Sequence, residues 1–170
     1  AIRKAVKALH AYPFPIVNPQ ASSGGVLYFP KGNYAFDEID IKMGTKVRGS
    51  GYWNSKITSY TSGKSAFVMS NLDTNTYYKN SHNCIFEDLN FYGGTFAYPV
   101  SGVPVIDWHG LTSITVQRCW FNGSFGFKWK NCTEINVFDC IFDVGTWAIE
   151  FENVNNANVS RNVFFGLQRV

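Results

Sequence analysis

Leucine is scarce in this chain, at 6 of 170 residues, whereas Phe, Tyr and Trp number 15, 9 and 5. That balance argues against a helical bundle. No apolar run approaches the ~18 residues that cross a bilayer as a helix, so no membrane partner is expected. Charge of one sign is lacking too. Fifteen Lys and Arg against 12 Asp and Glu leave +3 at pH 7, with no basic cluster of the kind that binds nucleic acid. The four cysteines (Cys84, Cys119, Cys132, Cys140) lack CxxC spacing, and the three histidines (His10, His82, His109) are scattered, so no metal site is expected. GxSxG, P-loop, HExxH and EF-hand patterns are missing, and no cofactor is expected. A composition 45% hydrophobic and 16% charged excludes disorder for most of the chain.

What remains is rich in aromatic and β-branched residues, which suit pleated surfaces. The length is that of one domain, 1–170. The chain begins Ala1-Ile2-Arg3, without Met or a signal-type segment, and ends inside the repeat described next. It is therefore expected to be a fragment lacking both ends.

Four segments align: Cys84–Phe91, Ile114–Phe121, Ile135–Phe142 and Ala157–Phe164. Apolar residues occupy positions 1, 3, 6 and 8 of each, Asn162 being the polar exception, and position 8 is always Phe. Position 3 recurs at 86, 116, 137 and 159, in steps of 30, 21 and 22. A period of two inside each half means strand. Two strands broken at a two-residue corner (Glu87-Asp88, Gln117-Arg118, Phe138-Asp139, Ser160-Arg161) keep both apolar sets facing inward. A third alternating segment recurs as Ile106–Gly110, Phe127–Asn131 and Ile149–Asn153. Each turn then has three short strands, and successive turns stack in parallel about 4.8 Å apart. A leucine-rich repeat also fits Leu111-x-x-Ile114-x-Val116-x-x-Cys119-x-Phe121. Against it stand the shortage of Leu and the return segments, which alternate with strand periodicity. The expected fold is all-β, a three-sided parallel β-helix, with regular turns over 83–170. The cysteines fall at inward positions and are expected as reduced core thiols; a disulfide between stacked cysteines is the alternative.

Ile2, Ala5, Val6 and Leu9 share one helical face, and Pro13 and Pro15 stop the pattern. Residues 1–12 are expected to form an α-helix that caps the open end of the coil. Residues 24–60 are expected to form the first, irregular turns. They contain Gly24-Gly25-Val26-Leu27-Tyr28-Phe29-Pro30-Lys31-Gly32-Asn33-Tyr34 and Val47-Arg48-Gly49-Ser50-Gly51. Gly24 and Gly25 are read as a turn with φ > 0, and Gly49 and Gly51 as a tight corner. These strings, after a capping helix, resemble the start of the pectate-lyase-like right-handed parallel β-helix domain. Such domains occur in polysaccharide-degrading enzymes and in bacteriophage tailspikes. The resemblance implies a right-handed coil, a polysaccharide ligand and a homotrimer. These motifs identify scaffold; the family's active carboxylates vary in position, and none transfers to this chain.

The alternation also assigns an exterior. Asp107, Lys128 and Glu150 form one outward column, and His109, Lys130 and Glu152 another. The corner column Asp88, Arg118, Asp139, Arg161 alternates in sign. These read as charge ladders or as a groove for sugar hydroxyls. Asn90, Trp120, Ile141 and Val163 form a further column, and three adjacent apolar residues facing water call for a cover. Trp120, Ile141 and Val163 are expected at an oligomer interface, with a loop of the same chain as the alternative. Insertions within 70–83 and 92–105 carry Tyr77, Tyr78, Phe96 and Tyr98, which can stack on sugar rings.

Glycoside hydrolysis needs two carboxyl groups about 5–5.5 Å or about 6.5–9.5 Å apart. The candidate catalytic pair is Asp143 with Glu150. The substrate-binding candidates are Tyr98, Asp107, His109 and Lys128. An eliminating enzyme would draw its base from Lys128, Lys130 or His109. The leading functional expectation is a bacteriophage tailspike that binds and depolymerises bacterial surface polysaccharide, located in the virion beside other phage tail proteins. A secreted polysaccharide lyase or hydrolase and a non-catalytic fibre segment are the alternatives.

Overall fold

The computed structural model describes residues 1–5, 25–41, 44–59, 64, 66–70, 84–92, 106–109, 112–130 and 133–166. The described residues wind through six turns. They run β1 (Val26–Phe29), β2 (Gly32–Ala35), β3 (Ile39–Asp40); β4 (Lys46–Gly49), β5 (Ser55–Thr58), β6 (Phe67–Ser70); β7 (Cys84–Glu87), β8 (Asn90–Tyr92), β9 (Ile106–His109); β10 (Thr112–Gln117), β11 (Trp120–Lys130); β12 (Thr133–Phe138), β13 (Ile141–Glu152); and β14 (Asn155–Ser160), β15 (Val163–Phe165). The first side is the sheet β1-β4-β7-β10-β12-β14. The second and third sides join into one sheet, because β11 and β13 each pass through the corner between them. Every pairing is parallel. The winding is right-handed, the sense that crossovers between parallel strands take. Among the described residues the return segments at 106–109, 120–130 and 141–152 are extended, so the leucine-rich alternative falls.

The interior is built from like residues on like. Leu27, Val47, Phe86, Val116, Val137 and Val159 align across the first side. Tyr34, Ile57, Phe91, Phe121, Phe142 and Phe164 align across the second. Phe91, Phe121, Phe142 and Phe164 stack at centroid spacings of 5.0, 4.9 and 5.0 Å, with rings within 15° of parallel. The first three are fully buried, and Phe164, on the last described turn, is 43% exposed. Each buried Phe contributes roughly 1.5–3 kcal/mol by removal from water. Cys84, Cys119 and Cys140 are buried thiols outside any disulfide, as expected for core cysteines; Cys132 lies outside the described residues. Burial pushes the Cys84 thiol up to about 11, against backbone hydrogen bonds from Gly44 and Thr45.

The corner differs from expectation by one residue. Position 4 still belongs to the strand, and position 5 carries the turn. Asp88, Arg118, Asp139 and Arg161 all take left-handed φ, at 59°, 49°, 56° and 55°. A single αL residue bends the strand so that positions 3 and 6 can both face inward. That costs about 1–2 kcal/mol for most side chains. The same four residues form the ion pairs described below. Asn162 is the polar exception for a reason: its Oδ1 accepts from the Cys140 N–H and its Nδ2 donates to the Val137 carbonyl, both at 2.9 Å. The second and third strands are expected as separate pieces but run together in β11 and β13, with a register shift between Gly123 and Phe125 where Gly123 has φ 150°.

Helical backbone covers residues 2–5, and Ile2 packs against the core. The rest of the expected 1–12 cap, and Gly24, lie outside the described residues. Gly25 does not take the expected positive φ; its carbonyl accepts from the Lys46 N–H at 3.0 Å. Gly51, read as part of a tight corner, takes φ 118°. Gly49 answers to space instead: a Cβ there would meet the Asp88 carbonyl oxygen at 2.2 Å.

Phe121→Ala opens a void between two stacked rings, so urea denaturation should show a loss of roughly 3–5 kcal/mol. Phe164→Ala, half in water already, should lose clearly less. Equal losses would contradict the ladder.

Candidate functional site

Strand alternation presents three outer faces. On the first, Val26, Lys46, Ile85, Thr115, Asn136 and Asn158 align in one column. Towards its last turns an open groove of about 410 Å³ is lined by Glu134, Asn136, Asn156, Ala157 and Asn158. Ser113, Glu134 and Asn156 take φ of 55°, 58° and 59°. They fall between the paired rows Thr112–Thr133–Asn155 and Ile114–Ile135–Ala157. The Ser113 hydroxyl donates to Glu134 Oε2. One carboxylate and three amides thus recur at strand spacing, about 4.8 Å. Such a surface accepts from and donates to hydroxyl groups, and it holds no second described acid for general acid–base work.

The second face is aromatic. Trp120 is not left to solvent: Trp53 lies against it at 4.6 Å and 76°, and Tyr52 at 6.4 Å and 84°. The cover therefore comes from the turn 52–54 of the same chain. Ile141 is half-buried, and Val163 is 47% exposed. The neighbouring column carries Thr58, Tyr92, Asn122, Asp143 and Phe165, with the Lys56 ammonium 3.8 Å over the Tyr92 ring.

Asp143 thus stands on the second face in register with Asn122, half-buried. Glu150 stands on the third, in register with Lys128, which pairs in turn with Asp107. Lys130 is in register with His109 and Glu152. The alignment of both expected columns is present in the backbone. The corner around 144–147 separates Asp143 from Glu150. Tyr98, Tyr77, Tyr78 and Phe96 lie outside the described residues. Among the described residues no group of three His, Cys, Asp or Glu is gathered to hold a metal ion.

Sequence reasoning missed the polar groove and the aromatic cover. The first had a signal: position 2 of the aligned segments reads Ile85, Thr115, Asn136, Asn158, with Ser113, Glu134 and Asn156 beside it. The second had none, because Tyr52 and Trp53 sit in an irregular turn with no repeat to align.

A family model described as rhamnogalacturonase A/epimerase, pectate lyase-like, matches residues 1–169. No curated protein is significantly similar to the chain. Among solved structures, the catalytic domain of GH87 alpha-1,3-glucanase in complex with nigerose matches with a TM-score of 0.74 and 18% identity, over 99% of this chain and 29% of that one. Two forms of that domain with a single aspartate changed to alanine, also with nigerose, give the same values. The chain spans less than a third of the length of these structures, and the likeness is one of fold.

A third cluster sits at the corner between the first and second faces. Glu87, 3% exposed, receives Lys46 Nζ at 2.6 Å and Arg118 Nη2 at 2.9 Å. Gln117 Nε2 also donates to it at 2.6 Å. Arg118 clamps Asp88 as well, at 2.7 and 3.1 Å, and one step along the corner Arg161 clamps Asp139 at 2.8 and 2.9 Å. The alternating corner column is therefore two bidentate pairs. Burial alone would push the Glu87 carboxyl up; the hydrogen bonds from Lys46, Gln117 and Arg118, with the Lys46 charge, outweigh it and hold the group below its ordinary value. A carboxyl lowered on folding contributes stability above its unfolded value, about 4.3, and that contribution fades as pH falls through the folded value. The melting-temperature advantage of the native protein over Glu87→Gln should be full at pH 7 and shrink below about pH 4. A constant difference would contradict the cluster.

Proposed function

The chain belongs to the rhamnogalacturonase A/epimerase, pectate lyase-like family, and we propose that it is part of a polysaccharide-degrading β-helix protein that lays its glycan along the outside of the coil. The observation that carries this reading is the first-face groove, where Glu134, Asn136, Asn156 and Asn158 line about 410 Å³ of open space on a rigid ladder. Amide and carboxylate groups at fixed intervals match the hydroxyl pattern of a chain of sugars better than an apolar or strongly charged ligand. The family and the glucanase fold support the same class of substrate.

For the chemistry, the proposed pair remains Asp143 and Glu150, with Lys128, Asp107 and His109 on the third face as contacts. A bond flanked by both acids has to cross the corner around 144–147. The finer proposal is a bacteriophage tailspike acting on bacterial surface polysaccharide. The outward apolar residues Ile141 and Val163 support it.

Incubation of the whole protein with capsule, O-antigen and teichoic-acid preparations tests the reading. New reducing ends alone are the expected product of hydrolysis; unsaturated uronates would assign elimination instead. Neither product, with no binding, would overturn it. Asp143→Asn and Glu150→Gln should each cut turnover at least about 100-fold if the two form the acid–base pair. Full activity in either variant removes that residue from the chemistry.

A further inference from the structure

Trp53 is 73% exposed. It belongs to a contiguous aromatic cluster with Tyr52 and Trp120, the kind of exposed apolar patch that marks a binding surface. Its backbone is nevertheless tightly held. The Gly51 N–H donates to the Asp88 carbonyl at 3.1 Å, and the Asn54 and Ser55 N–H groups both donate to the Gly51 carbonyl, at 2.9 and 3.0 Å. The Asn54 side chain donates to the Ser50 carbonyl at 3.1 Å, and the Ser55 hydroxyl to the Phe29 carbonyl at 2.7 Å. The turn ties together three successive turns of the coil, β1, β4–β5 and β7–β8. It presents the ring rather than burying it. Tyr52, 5.5 Å away, and Trp120, 4.6 Å away, brace it at 46° and 76°. Trp120 Nε1 and, on the next rung, Asn90 Oδ1 have no hydrogen-bond partner.

The surroundings select the occupant. Lys56 and Asn90 lie in Trp120's own column, and Asn122 and Asp143 in the neighbouring column of the same face. A pyranose ring has the matching shape: a flat patch of C–H bonds on one side and a rim of hydroxyls that such groups hydrogen-bond. We propose that Tyr52, Trp53 and Trp120 form a second glycan subsite, on a different face from the polar groove, with Trp53 as the stacking platform for a neutral pyranose. The inference rests on the glycan reading above and names a further contact for it. Because the turn is fixed before the sugar arrives, little ordering entropy is lost on binding.

Calorimetric and tryptophan-fluorescence titration of the whole protein with nigerotetraose, maltoheptaose and O-antigen oligosaccharides tests it. At least one probe should bind with a change in indole emission. Trp53→Ala should weaken that probe about tenfold or more, and Trp53→Phe should recover part of the loss. The ring is exposed, so neither variant should change the melting temperature much. Undiminished binding by Trp53→Ala overturns the subsite and leaves the glycan reading standing; no binding of any probe by the native protein overturns both. A fall in sedimenting mass on Trp53→Ala would assign the ring to contact with a second copy of the chain and also overturn the subsite.

Discussion

Every turn of this coil lies about 4.8 Å above the last with its strands parallel and in register, so each side chain sits directly on its counterpart from the turn before. Inward positions must therefore be filled by residues that pack on their own kind. Planar rings do so with little loss of volume, which is why the second side carries a run of Phe, and short branched residues do so on the first. A parallel stack also leaves no choice at the corners. Each must bend the same way by the same amount, and the αL residues Asp88, Arg118, Asp139 and Arg161 do this at one position in four successive turns. Acid alternates with base there, so the stacking itself sets Arg118 against Asp88 and Arg161 against Asp139.

The same register governs the exterior. A group that appears once per turn becomes a column, and a column of amides, of rings or of alternating charges gives each face its own chemistry. The first face ends in amides around Glu134, the second carries aromatic rings beside Asn122 and Asp143, and the third aligns acidic with basic residues. A long glycan is a repeat as well, and a stiff scaffold with a fixed step suits it because the contacts are in place before binding. Glu87 shows the limit of this reasoning: an acid at an outward position is closed off by Lys46, Gln117 and Arg118 and serves the fold.

The coil was legible from the sequence because its signal repeats. Phe91, Phe121, Phe142 and Phe164 announce an inward column, and Lys128 between Asp107 and Glu150 announces an outward one, with no knowledge of contacts needed. The corner was misplaced by one residue because positions 4 and 5 are both mostly polar; only backbone φ separates them. The fusion of strands in β11 and β13 was hidden because Gly123 reads as a break when it makes a bend. Irregular pieces were least legible. The Tyr52–Trp53 turn covers Trp120 through two long-range ring contacts, and neither periodicity nor composition reports such contacts.

Nuclear Overhauser contacts among phenylalanine ring protons test the stacked register most directly. With Phe selectively labelled, the account predicts contacts between Phe91 and Phe121, Phe121 and Phe142, and Phe142 and Phe164, and none between Phe91 and Phe142. Rings in contact out of that order, or four rings with no mutual contacts, would contradict it.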